Sequence, residues 1–106
     1  MKFQKCIFHD GINLTVRRGA RHFKNEDTVF NTVDSNAVGF MKIRTYKHIR
    51  FTDLANDDLG DCHDEWCRTI GGLKKAMETF YDDFDVREIV TLIYFTFKPW
   101  TRTLSD

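Results

Sequence analysis

Phe51-Thr-Asp-Leu-Ala-Asn-Asp-Asp-Leu-Gly-Asp-Cys-His-Asp-Glu-Trp-Cys-Arg-Thr-Ile-Gly-Gly-Leu-Lys-Lys-Ala-Met-Glu-Thr-Phe-Tyr81 is the stretch on which the fold turns. A basic, strand-forming first half gives way there to an acidic, helix-forming segment that leads into the last strand. Ile70, Leu73, Met77 and Phe80 recur at intervals of three and four, so they share one face of a 3.6-residue period and predict a helix. Thr69 stands before it as N-cap, its hydroxyl placed to accept from a first-turn amide that has no partner inside the helix. Gly71 and Gly72 weaken that first turn, each by roughly 1 kcal/mol relative to alanine. A weaker helix is predicted just upstream, with Asp53, Asn56 or Asp57 as its cap and Leu54 and Leu59 as its only large apolar anchors. Between the two lies Cys62-His-Asp-Glu-Trp66, a set of ionisable groups beside a large ring and the expected place for chemistry.

Outward from this stretch the chain divides by charge. Its 106 residues suit one domain, residues 1–106, with a single modest core to which ten Phe, three Tyr and two Trp contribute. The formal net charge is zero, yet residues 1–52 carry ten Lys and Arg against four acids, and residues 53–106 carry six against twelve. Such polarity suits a polyanion on one side, and solvated loops give the same pattern. Three cysteines, Cys6, Cys62 and Cys67, are an odd number and point to free thiols in a reducing compartment. The N-terminal residues lack an apolar run of signal or membrane-spanning length, so the expected location is cytoplasmic, with no membrane partner.

Residues 3–9 read equally as a short helix or a strand. Leu14-Thr-Val-Arg-Arg18 reads as a strand, residues 19–27 as a charged loop, Thr28 to Val33 as a strand again, and Asp34-Ser-Asn36 as a turn. From Ala37 to Phe51 one long run follows. Phe40, Lys42, Arg44, Tyr46, His48 and Arg50 share one parity, and Met41, Ile43, Thr45, Lys47, Ile49 and Phe51 the other. The first set describes either a solvated sheet face or a surface that tracks phosphates while a ring stacks a base. Residues 87–97, the most hydrophobic run, should form the central strand, stopped by Pro99, and the tail from Trp100 shows no structure. Strands, then paired helices, then a closing strand indicate an α+β domain with a strongly curved sheet or small barrel.

Several constellations invite chemistry. Cys62, His63 and Cys67 are metal-capable, with Cys6 as a fourth, but they lack the paired spacing of a zinc site and read better as thiols around Trp66, so neither metal nor cofactor is expected. Asp57, Asp58, Asp61, Asp64 and Glu65 are the ligand type for Mg²⁺, or simply carboxylates complementing a helix start. His22 and His48 lie in basic stretches and have the chemistry for acid–base work on RNA without a metal.

Asp53-Leu-Ala-Asn-Asp-Asp58, the run Leu73-Lys-Lys-Ala-Met77 with Tyr81, and Ile89-Val-Thr-Leu-Ile-Tyr-Phe95 together resemble the ASCH domain family, whose fold is similar to the PUA domain. Gly11-Ile-Asn-Leu-Thr-Val-Arg17 is similar to that family's glycine, lysine, threonine and arginine motif, and Asn25-Glu-Asp-Thr-Val29 to its "GDxV" step. The resemblance implies a PUA-like curved sheet or small β-barrel with two or three short helices at its edge. It also implies a cleft that binds RNA or a nucleoside, with Arg17, Arg18, Arg21, Lys42 and Arg44 as contacts. Through the family's amidohydrolases on N4-acetylcytidine and its ribonuclease activity, the resemblance implies an alternative: a hydrolase in which Thr15 is the nucleophile and Glu65, or Asp64 on a shifted alignment, the acid–base group. The family's lysine is missing, since Ile12, Asn13 and Leu14 fill the positions after Gly11. A third reading gives the charge polarity to a protein partner and leaves the cleft vestigial.

Overall fold

The computed structural model describes residues 2–3, 8–23, 27–32 and 37–99. The expected turn at residues 34–36, the tail from Trp100 and the thiol of Cys6 lie outside the described residues. Five strands, β1 (Lys2–Phe3), β2 (Asn13–Arg18), β3 (Asp27–Thr32), β4 (Ala37–Arg50) and β5 (Ile89–Pro99), form one sheet in the order β1-β3-β4-β5-β2. The short β1 runs parallel to β3 and the other pairings are antiparallel.

That sheet is open, which overturns the PUA-like curved sheet or small barrel. Closure would require the outer edge of β2 to find a strand at the other end of the order, and that edge is already occupied. Leu14 N donates to Asp61 O at 2.8 Å and His63 N donates to Leu14 O at 3.1 Å, a short parallel bridge centred on Leu14 and Cys62. At Leu14 the outward amide and carbonyl of the sheet edge are satisfied by the loop itself.

The helical region also differs from expectation. Among the described residues one α-helix forms, α1 (Ile70–Phe80), capped as its sequence predicts by Thr69, whose Oγ1 accepts from Gly72 N at 3.1 Å. The weaker helix is replaced by two 3₁₀ turns, Phe51–Asp53 and Asn56–Leu59, and a third, Glu65–Cys67, follows. The polar side chains here take up backbone amides at spacings that do not belong to a helix. Asp58 Oδ2 accepts from Ala55 N at 2.8 Å, and Asn56 Oδ1 reaches forward to Ile70 N at 2.8 Å. Each of these side chains offers the backbone a partner outside an i to i−4 ladder.

The strand β5 lies between β4 and β2 and is covered on both sides, which is why it reads as an unbroken apolar run. On the helix side Val90 and Leu92 pack with Leu14, Val16, Phe51, Leu59, Leu73 and Met77. On the other side Ile93 and Phe95 pack with Met41 and Ile43, and among the described residues no helix covers them; Phe8, Phe23, Tyr46 and Phe97 pack against them instead.

Within β4 the single parity read from the sequence does not hold. Ile43 pairs with Phe95 but Thr45 pairs with Tyr94, so Arg44 is an extra residue in a bulge. From there on the faces exchange. Tyr46 and His48, opposite Ile93 and Thr91, lie on the same face as Met41 and Ile43, and Lys42, opposite Thr96, lies on the helix face with Thr45 and Lys47. Among the described residues no helix is long and apolar enough to cross a membrane.

Candidate functional site

Register places three residues in one row across the face opposite α1. Arg17 on β2 and His48 on β4 both pair with Thr91 on β5, so their backbones stand about 10 Å apart with Thr91 between them. The adjacent row is Thr15, Ile93 and Tyr46.

The segment after β2 folds back over these rows. It turns at Gly19, whose φ of 84° suits a residue without a Cβ. Thr91, fully buried, fixes the return: its hydroxyl donates to Gly19 O at 2.6 Å and accepts from Arg21 N at 2.9 Å. His48 Nε2 lies 2.7 Å from Arg21 O, and Phe23 anchors the far end, its ring 5.5 Å from that of Tyr46. His22 is thereby laid against β4. Its ring lies 5.0 Å from that of His48 and 6.1 Å from that of Tyr46, and its Nδ1 stands 3.4 Å from the Tyr46 hydroxyl.

Arg21, His22 and His48 are exposed, Tyr46 and Arg17 half-buried. Burial is the main reason that Arg17 is pushed down to about 10; Tyr81 acts in the opposite sense, and the like charge of Arg21 adds to the lowering. Arg17, Arg21, His22, Tyr46 and His48 therefore lie on one face of the sheet, with Arg21 Nε donating to Arg18 O at 3.1 Å, and together are residue types suited to an anion.

The other expected contacts lie elsewhere. Arg18, next to Arg17 on a strand, faces the helix side, where its Nε donates to Glu88 Oε1 at 2.7 Å and its Nη1 to Asp83 Oδ1 at 2.8 Å. Its guanidinium also stacks 5.4 Å from the Tyr81 ring centroid. These bonds raise the Arg18 pKa and hold Glu88 and Asp83 below their ordinary carboxylate values. Lys42 faces the helix side, and Arg44, exposed at the bulge, donates to Thr96 Oγ1 at 3.2 Å. No single basic cleft gathers Arg17, Arg18, Arg21, Lys42 and Arg44, which corrects the expectation of RNA or nucleotide binding by an ASCH-type cleft.

Thr15 and Glu65 are likewise apart in character. Thr15 is 5% exposed beneath the face, and Glu65 is exposed on the third 3₁₀ turn, with no hydrogen bond joining them. The hydrolase reading built on that pair falls with the fold that was to assemble it.

In the loop before α1 the bridge at Leu14 splits the ionisable cluster. Cys62 enters the helix-side core with Cys67, whereas His63 stacks on Phe8 with ring centroids 5.0 Å apart on the opposite side. Among the described residues no group of three or more His, Cys, Asp or Glu could hold a metal. The neighbouring acids serve as caps instead: Asp64 Oδ1 accepts from Trp66 N at 3.0 Å and Asp58 from Ala55 N.

The sequence named His22, His48, Arg17 and Arg21 separately. It showed Tyr46 and His48 at one parity, but gave no sign that Thr91 would bring residues 19–23 across the sheet. Comparison with known proteins gives no match to a family model, a curated protein or a solved structure, and with an open sheet in place of the predicted one the chain is not assigned to the ASCH family.

Proposed function

We propose that the protein is a binding module for a phosphate-bearing partner, which it takes on the surface formed by Arg17, Arg21, His22, Tyr46 and His48. The observation that carries this reading is the row Arg17, Thr91, His48 with His22 laid over it by the Thr91 and Arg21 hydrogen bonds. Two guanidinium groups held near one another repel, and an anion placed between them relieves that repulsion while accepting from both. Phosphate, with several oxygens in tetrahedral array, accepts from more of these donors at once than a carboxylate does. The Tyr46 hydroxyl, beside His22 Nδ1, adds a neutral donor to that set.

The test is calorimetric titration with pyrophosphate, then with labelled single-stranded RNA over a salt series. Arg21→Gln and His48→Gln should each weaken pyrophosphate binding about tenfold or more, the loss expected for a hydrogen bond to a charged group. Lys42→Gln and Arg44→Gln should leave it unchanged. RNA affinity should fall steeply with salt if the strand is the partner. Absence of pyrophosphate binding at millimolar concentration, or equal losses from all four substitutions, would sink the reading.

A further inference from the structure

One hydrogen bond on the anion surface restricts how that surface works. His48 Nε2 lies 2.7 Å from Arg21 O. A carbonyl oxygen only accepts, so Nε2 carries the hydrogen, and a neutral imidazole has no second N–H. The other nitrogen, Nδ1, is then a bare lone pair on an exposed ring, with no hydrogen-bond partner among the described residues. A lone pair repels an anion, and Nδ1 donates to one only after taking up a proton. His22 differs. Its Nδ1 stands 3.4 Å from the Tyr46 hydroxyl, which can donate to it and leave the ring's own hydrogen on Nε2, so the neutral ring keeps an N–H to offer.

We propose that the surface is a proton-linked anion site, at which His48 takes up a proton as the phosphate-bearing partner binds. The partner is then held in mildly acid solution and released as the pH rises. This rests on the reading of the surface as an anion site and adds its regulation. The titratable groups around His48 are Arg17 on β2, Arg21 and His22 on the returning segment, and Tyr46 and Arg50 on β4, with Thr91 of β5 between the rows. Arg21 Nε is turned to Arg18 O and Arg50 Nη1 to Arg87 O. These groups include no carboxylate. An anion arriving among them brings the opposite charge, and opposite charge beside an imidazole favours the imidazolium.

Proton uptake and anion binding reinforce one another to the same extent. At the acid end of the range in which imidazoles titrate, the ring is charged before the anion arrives and His48 contributes its full share to affinity. At the alkaline end the ring is neutral and that share is gone. An advantage of about tenfold over glutamine corresponds to a His48 midpoint about one pH unit higher with the anion bound. The same advantage corresponds to an uptake of about half a proton per anion, reached midway between the two midpoints.

The experiment titrates the full chain and its His48→Gln variant with pyrophosphate at intervals from about pH 5.5 to about pH 8.5. Each point is run in two buffers of different ionisation heat, so that calorimetry gives both the affinity and the protons exchanged. Pyrophosphate's own protonation is common to the two proteins and cancels in the comparison. The parent should bind about tenfold more tightly than the variant at the acid end and no more tightly at the alkaline end. Between them its proton uptake should exceed the variant's by about half a proton. His22→Gln should keep the pH dependence. In the parent alone, the His48 ring signals of a proton spectrum should titrate about one pH unit higher with pyrophosphate than without it, a readout that stands whether or not the variants fold. Absence of pyrophosphate binding at every pH would overturn the anion reading and this inference together. Equal proton uptake by the parent and His48→Gln, or a His48 midpoint that pyrophosphate leaves in place, would overturn the proton linkage alone.

Discussion

His9 shows how much a single side chain can impose. Its Nδ1 lies 2.9 Å from Asp10 O and its Nε2 2.9 Å from Asp61 O. A neutral imidazole has one N–H to offer, and only the imidazolium donates to both carbonyls. Its pKa is accordingly raised, first by the Asp10 carbonyl and then by that of Asp61. Because the folded value lies above the ordinary 6.5, this contribution is fully present below that pH and is lost as the pH rises through the folded value. Urea midpoints should therefore fall as the pH rises above 6.5, and His9→Gln should flatten that limb while leaving the acid limb as it was. Nothing in the sequence around His9 signals this, since both carbonyls are backbone atoms and one comes from 52 residues away. By contrast the Thr69 cap was legible, because donor, acceptor and spacing all lie within four residues.

Among the elements, α1 contains two adjacent glycines with opposite consequences. A Cβ on Gly71 would meet nothing within 4 Å, whereas one on Gly72 would lie 1.8 Å from the carbonyl oxygen of Trp66. Gly71→Ala should stabilise the protein by about 0.5–1 kcal/mol through helix propensity. Gly72→Ala should destabilise it, by about 1–3 kcal/mol, because a backbone carbonyl must move to make room. Thermal unfolding of the two variants side by side separates these signs. From the sequence the pair looked equally costly, since the close approach depends on how the turn at residues 65–67 packs on the helix. The bulge at Arg44 was hidden for a related reason. A strand of 14 residues reads as one parity until the partner strand is known, and it is the register with β5 that moves Tyr46 and His48 to the face of Met41 and Ile43.

Over the whole molecule, β5 joins two cores that do not touch through side chains of the same parity. Phe95, fully buried, fills the face opposite α1, so Phe95→Ala should cost about 3–5 kcal/mol and loosen the packing of Phe8 against it. A proton spectrum showing Phe8 and His63 ring signals unchanged in a fully stable variant would refute this account of the face. That β5 is an interior strand was legible from its unbroken apolar run, although β4 and not β5 takes the middle place in the order. Sheet closure was not, because the short motifs behind the family resemblance are local, whereas an open or closed sheet is decided by what lies against its outermost edge. Nor does the charge polarity of the two halves survive as two surfaces. Arg18 from the basic half is bound by Asp83 and Glu88 from the acidic one.

The place of β5 in the sheet also sets a timetable. Ribosomes deliver β2 and β4 well before residues 89–99, yet neither of those strands pairs with the other; each waits for the strand that will lie between them. A nascent chain that has reached Tyr81 has, of this sheet, the β3 and β4 hairpin and the short β1 beside it, with the apolar sides of β2 and β4 still open to solvent. Both cores are therefore completed only once residues 89–99 are free to pair, and until then the apolar sides of β2 and β4 are surface through which growing chains can associate.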